Sequence, residues 1–134
     1  MSEENVELVR AFYEAFNRRD FDRMVNYAHP DFEIRPLPAL VAMTGDDRVK
    51  GYAEAKRFWT SFFEGFDEIQ IEPREIVEEG DMVVAELRWT GRGRSGIEVD
   101  QFHTDLWFFR DGRIARVEGF ATKAEAIEAA GLSE

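Results

Sequence analysis

The sequence predicts an α+β fold, and three observations carry that expectation. The first half places apolar residues at helical spacing, the second half alternates them at strand spacing between glycine turns, and a capped helical segment closes the chain. Helices followed by consecutive strands imply an antiparallel sheet covered on one face. At 134 residues and 44% hydrophobic content, the chain suits a single domain over residues 1–134 with an ample core.

Each element follows from local chemistry. Ser2 is placed to cap a helix in which Val6, Val9, Phe12, Tyr13 and Phe16 form one apolar stripe. Asp20 caps a second, short helix carrying Phe21, Met24 and Val25, and Pro30 ends that pattern. The run "DFEIRPLPALVAMTGDDRV", with Pro36, Pro38 and Gly45, reads as a strand and then a long mobile loop from Leu37 to Val49, either a lid over a pocket or a plain surface loop. From Gly51 to Gly65 a third helix carries Tyr52, Ala55, Phe58, Trp59, Phe62 and Phe63 on a broad apolar face.

The strands come next. "EIQIEPREIVEE" ends at Gly80-Asp81 (in the order Gly80, Asp81), "MVVAELRWTG" follows, and "GRGRSG" makes a loose turn. "IEVDQFHTDLWFF" runs to Asp111 and Gly112, after which "RIARVEGF" closes the sheet. Thr122 with Glu125 forms a capping box for "KAEAIEAA", and Gly131 stops that helix.

Charge and composition exclude several functions. The formal charge of −11, from 28 acidic and 17 basic side chains, repels phosphate backbones and acidic membrane surfaces, so neither nucleic acid nor membrane is an expected partner. Without cysteine there is no disulfide, thiol nucleophile or thiolate metal site. Two histidines far apart, with no His/Glu pair at helical spacing, predict no metal site, and no phosphate or dinucleotide loop points to a cofactor. The acidic start "MSEENVELV" lacks the features of a signal peptide, which predicts a soluble, cytoplasmic protein.

The chemistry concentrates in "EVDQFHTDLWFF", residues 98 to 109. On a strand, Gln101, His103 and Asp105 project from one face with Trp107 and Phe109, about 7 Å apart in succession and able to act on one ligand. Phe102, Thr104, Leu106 and Phe108 project from the other, and the row Phe102, Leu106, Phe108 predicts a homodimer through that outer face. Desolvation among aromatic rings favours the protonated form of Asp105 and fits it for general acid work, with His103 as base or orienting group. Internal hydrogen bonds with no ligand are the plainer reading of the same pair.

"LVRAFYEAFNRRDFDRMVNYAHPDFEI", "GYAEAKRFWTSFF" and "LWFFRDGRIARVEGF" together resemble the nuclear transport factor 2-like superfamily, in its SnoaL-like and ketosteroid isomerase-like branch. The resemblance implies a strongly curved antiparallel sheet wrapped as a cone around the N-terminal helices, a deep apolar pocket, and often a dimer. That fold hosts isomerases, cyclases, hydrolases and non-catalytic binding modules, so it does not settle activity.

Residue by residue, the resemblance is partial. The proton-shuttling aspartate of ketosteroid isomerases matches Arg35, before Pro36, and their first-helix tyrosine matches Phe12. Their oxyanion-hole aspartate matches Asp105. The final-strand aspartate of SnoaL-type cyclases matches Gly119, and the Arg-x-Asp of limonene epoxide hydrolase-like enzymes falls on His103-x-Asp105 (that is, His103 then Asp105).

The nearest final-strand carboxylate is Glu118, whose direction depends on the turn. A two-residue turn at Asp111 and Gly112 sets Asp105 opposite Glu118, whereas a three-residue loop with a bulge sets it opposite Gly119. The second geometry is favoured, with Glu118 outward.

Candidate substrate-binding residues are Gln101, Arg35, Trp59, Trp107, Phe12 and Phe16, the arginine reaching over the pocket mouth toward an anion or pairing with Asp105. Trp59, Phe62, Tyr52 and Met43 read as core or pocket wall, and His29 as turn chemistry beside Pro30. Two functions follow: a cofactor-independent enzyme moving a proton on a small apolar molecule, or a non-catalytic module that holds one or serves as a dimeric partner.

Overall fold

The computed structural model describes residues 2–36 and 38–131. Helices α1 (Ser2–Asn17) and α2 (Phe21–Asn26) precede strand β1 (Ala28–Arg35), a short helix α3 (Pro38–Thr44) and strand β2 (Val49–Lys50). Helix α4 (Gly51–Glu64) leads into strands β3 (Phe66–Glu79), β4 (Met82–Gly93), β5 (Glu98–Arg110) and β6 (Arg113–Phe120), and helix α5 (Lys123–Ala130) follows. The six strands form one sheet in the order β2-β1-β6-β5-β4-β3, antiparallel throughout except between β1 and β6. This is the α+β architecture expected, with α1 and α4 laid against the sheet's inner face.

The predicted stripe of α1 is the heart of the core: Val9, Phe12, Tyr13 and Phe16 are all buried. They meet Phe58, Trp59, Phe62 and Phe63 of α4 and the inward residues of the sheet in one continuous cluster. Asp20 caps α2 by accepting from the Arg23 backbone N–H at 3.1 Å. Thr122 caps α5, and Gly131 ends it at φ +73°. The expected cap at Ser2 rests on a side chain outside the described residues, as do Leu37 and the Met43 side chain.

Three local expectations are corrected. Strand β1 starts at Ala28, through His29 and Pro30, because an irregularity between Ala28 and Glu33 keeps Pro30 out of the ladder that needs its missing N–H. The segment read as a mobile loop holds helix α3, which begins on Pro38, a residue whose fixed φ suits a first helical turn, and stops at Gly45 with φ +83°. Tyr52 is 37% exposed, and its hydroxyl donates to the Ala28 carbonyl at 2.8 Å, so it ties α4 to β1 at the surface.

The edge strand β3 is shaped by two devices. Its register shifts between Pro73 and Glu75, where proline cannot donate to the ladder. Further along, the Asn17 side chain covers the free edge: its amide donates to the Ile71 carbonyl at 2.9 Å and its oxygen accepts the Ile71 N–H at 2.8 Å. At Gly91, β3 crosses so closely that a Cβ would lie 2.2 Å from the Glu68 carbonyl oxygen.

The outer face differs from the exposed apolar row expected there. Helix α5 packs on β5 and β6, and Leu106 is 1% exposed, buried with Val84, Ala126 and Ile127 apart from the main core. The Arg116 guanidinium lies 3.9 Å from the Phe108 ring centre. Only Phe102 of the three is broadly exposed, at 62%, with Arg74 5.6 Å from its ring.

Candidate functional site

Strand alternation directs Gln101, His103, Asp105 and Trp107 to the concave side, as the sequence implies, but their surroundings diverge. His103 and Asp105 are buried, at 7% and 8% exposure, whereas Gln101 is exposed on a cleft nearer the sheet's end. The inner pair faces a small cavity that takes its walls from α1, α4 and the sheet, including Phe12, Phe16, Trp59, Trp107 and Gly119.

Its volume is about 30 Å³. That is room for about two water-sized groups. A wider cleft of about 320 Å³ adjoins it, lined by Phe62, Phe66, Ile69, Val99 and Gln101 among others, and Leu40, Trp89 and His103 border both spaces.

Asp105 is held from both sides. The Tyr13 hydroxyl donates to Oδ2 at 2.7 Å, and the Trp107 indole N–H donates to the Tyr13 oxygen at 2.8 Å. Burial, reinforced by the negative charge of Asp105 and by the hydrogen bond to it, raises the Tyr13 pKa well above its usual value, against a smaller lowering from Trp107. The phenol therefore stays a donor, spent on Asp105.

On the other oxygen the contact runs through His103. His103 Nε2 lies 3.1 Å from the Trp89 indole nitrogen and 3.1 Å from Asp105 Oδ1. That nitrogen has one in-plane position, which holds either a lone pair or a proton. With a lone pair it accepts from Trp89, and the link to Asp105 needs a proton on the carboxyl. With a proton it donates to the carboxylate, and the indole loses its acceptor. One proton thus links three side chains.

Sequence reasoning missed Tyr13 and Trp89 as members of this network. Phe12 occupies the position matched to the isomerase tyrosine, but it contributes only its ring, 5.0 Å from that of Trp107. The neighbouring Tyr13 brings the hydroxyl, and its signal was a phenol in an otherwise hydrocarbon stripe, which requires a buried partner.

Arg35 borders the cavity, yet its guanidinium is engaged elsewhere: Nε donates to Glu33 at 2.7 Å, and Glu118 lies 3.6 Å away. The expected pairing with Asp105 gives way to this cluster because β1 alternation puts Phe32 and Ile34 inside and Glu33 and Arg35 outside. Burial tends to raise the Glu33 pKa, but the hydrogen bond from Arg35 and the charges of Arg35, Arg48 and Arg116 outweigh it and hold it below the usual range.

Asp105 pairs with Gly119 and Leu106 with Glu118, so Glu118 lies on the outer face as expected, where Arg116 approaches it at 3.1 Å. The device differs from the three-residue loop foreseen. The turn is the two-residue kind, with Asp111 and Gly112 at φ 55° and 74° and Arg110 opposite Arg113. The register shift comes later, where Phe109 pairs with Ile114 and Phe108 with Arg116, leaving Ala115 as the extra residue. His29 sits on the surface against Arg110 and Asp31, consistent with a structural role.

Among the described residues, no group of three His, Asp or Glu side chains is arranged to hold a metal, and no helix is long and apolar enough to cross a membrane.

Helices cradled by a single curved sheet, with a buried acid and imidazole at an aromatic cavity, define a nuclear transport factor 2-like fold. The chain belongs to the SnoaL-like domain family, whose sequence profile matches residues 9–117. Among solved structures it is similar to TerC co-crystallised with polyporic acid, at 26% identity and TM-score 0.79, over 93% of this chain and 96% of that one. A nuclear transport factor 2-like protein of unknown function from Burkholderia pseudomallei K96243 matches at 26% identity and TM-score 0.81, over 96% and 97% of the two chains. A protein assigned as a SnoaL-like polyketide cyclase from Jannaschia sp. CCS1 matches at 25% identity and TM-score 0.76, over 96% and 92%. No curated protein matches the sequence.

Proposed function

We propose that the protein binds a small, largely apolar molecule across the cleft and inner cavity and exchanges a proton with it through Asp105, with His103 as base or orienting group. The observation that carries this reading is the buried Asp105, gripped by Tyr13 at 2.7 Å on one oxygen and facing His103 at 3.1 Å on the other, at the wall of an aromatic cavity. A carboxyl so placed is oriented by fixed partners, which is what proton transfer to a positioned carbon or oxygen requires. The likeness to TerC, crystallised with polyporic acid, supports a small-molecule ligand.

A second reading, a non-catalytic binding module, is favoured by one observation. Gly119 stands opposite Asp105, so the wall carries no second acid at the position matched to the cyclase aspartate.

Incubation with a panel of small enolisable ketones in deuterium oxide separates the two. The enzyme reading expects mass spectrometry to show deuterium entering at carbon faster with the wild type than with Asp105→Asn. Ketones that bind equally to both and exchange at the same rate favour the binding module. A panel of which no member binds overturns both.

A further inference from the structure

We infer, resting on that reading, that the ligand's buried headgroup is neutral and carries an oxygen acceptor, and that the Trp59 indole N–H receives it, making Trp59 a specificity determinant of the site. The argument begins from three tryptophans that all line the inner cavity. Two have a polar partner within reach: Trp107 donates to Tyr13 at 2.8 Å, and the Trp89 indole nitrogen stands 3.1 Å from His103 Nε2.

The third does not. Trp59 Nε1 is buried with no hydrogen-bond partner, in a residue only 8% exposed. Its ring is set by edge contacts to Phe16, Phe58 and Phe62, with centroids 5.2, 4.8 and 5.6 Å away. A buried N–H without an acceptor carries a desolvation cost that a folded protein ordinarily avoids. Here the surrounding aromatic rings lack any strong acceptor, so relief comes from an oxygen entering the cavity.

The charge of that headgroup follows from what faces it. Asp105 and His103 line the same cavity, and the guanidinium groups of Arg35 and Arg116 are engaged by Glu33 and Glu118. An anion would be stripped of water there with no arginine or lysine among the described lining residues free to balance it. A neutral carbonyl, ether or hydroxyl oxygen meets none of that penalty.

Size fixes the rest. The inner cavity of about 30 Å³ takes only a headgroup, whereas the adjoining cleft of about 320 Å³ is large enough for an apolar body. Leu40, Trp89 and His103 border both spaces, so the headgroup enters between them. The ligand class is therefore an apolar skeleton bearing a neutral oxygen at one end.

The test compares 1-tetralone with tetralin, which share a skeleton and differ in the carbonyl, against ¹⁵N-labelled wild type and Trp59→Phe. The three tryptophans give three indole resonances, assignable by substitution. The wild type is expected to bind the ketone about tenfold more tightly, the upper range of one net hydrogen bond. The Trp59 indole proton should move downfield with the ketone only. Trp59→Phe should reduce the preference to under about twofold while keeping tetralin affinity, which also shows that the variant is folded.

A preference that survives Trp59→Phe, or equal binding of both compounds to the wild type, overturns the role of Trp59 and leaves the pocket reading standing. If neither compound binds the wild type, the pocket reading itself falls. Should the variant lose tetralin as well, the wild-type Trp59 resonance decides: a downfield move with the ketone alone upholds the inference, and its absence overturns it.

Discussion

The Tyr13 hydroxyl lies 2.7 Å from Asp105 Oδ2, across 92 positions of sequence, and joins the first helix to the chemical strand by one buried hydrogen bond. Tyr13→Phe leaves an acceptor on Asp105 and the Trp107 indole donor without partners. Loss of about 2 kcal/mol is expected in urea unfolding, since each unsatisfied buried group costs about 1–3 kcal/mol with partial relaxation.

The same tyrosine sets an alkaline limit. Its pKa is raised in the folded state, so above its ordinary value near 10 the unfolded chain releases the proton first. Its contribution is complete below about pH 10 and is lost as pH climbs from there toward the folded value. Stability measured from pH 9 upward should fall more steeply for the wild type than for Tyr13→Phe. Parallel curves would contradict the buried phenol.

Asn17→Ala should expose the sheet edge. It removes two hydrogen bonds to Ile71, worth about 2 kcal/mol together, and amide exchange at Ile71 should speed up more than at its neighbours.

Gly91 is expected to tolerate no side chain. Gly91→Ala sets a Cβ 2.2 Å from the Glu68 carbonyl and should cost at least about 2 kcal/mol by forcing β3 away from β4. Gly80→Ala serves as the control: its turn has open space and φ +64°, so about 1 kcal/mol of backbone strain is expected. Thermal unfolding of the two variants checks the order.

Arg35→Ala separates surface electrostatics from the cavity. Glu33 is held below its ordinary range chiefly against its burial, by Arg35, Arg48 and Arg116. A depressed carboxylate lends stability above its unfolded value near 4.3, and that stability is lost as pH falls. The variant should lose about 0.5 kcal/mol at neutral pH and show a flatter acid limb, because Arg35 is 42% exposed and its ion pair is screened. Ligand affinity should change less than about twofold, as a half-exposed outward charge is screened by water and salt.

Much of this was legible in the sequence because the signals were local. Caps at Asp20 and Thr122, the stripe of α1 and the alternation of "HTDLW" each depend on residues within one turn or one strand. The partners were not. Nothing near Asp105 in sequence announces Tyr13, and an arginine beside the cavity does not say that Glu33, two residues back, will claim it. The outer face misled for a similar reason: Leu106 looks exposed on its strand until α5 is folded onto the sheet. The α3 helix was obscured by Pro38, which reads as a breaker unless it stands at a helix start.

The extra residue at Ala115 assigns Glu118 to the outer surface, because side chains alternate and a slip of one position exchanges the two sides of a strand. A lineage that gained one codon between Ala115 and Glu118, with the bulge kept, would set Glu118 opposite Asp105 and give the cavity two carboxylates in one genetic event. The same chemistry acquired by substitution would need Gly119 replaced. Insertions and deletions between Arg113 and Glu118 are thus the changes to watch when relatives of this chain differ in reaction while sharing nearly every pocket residue.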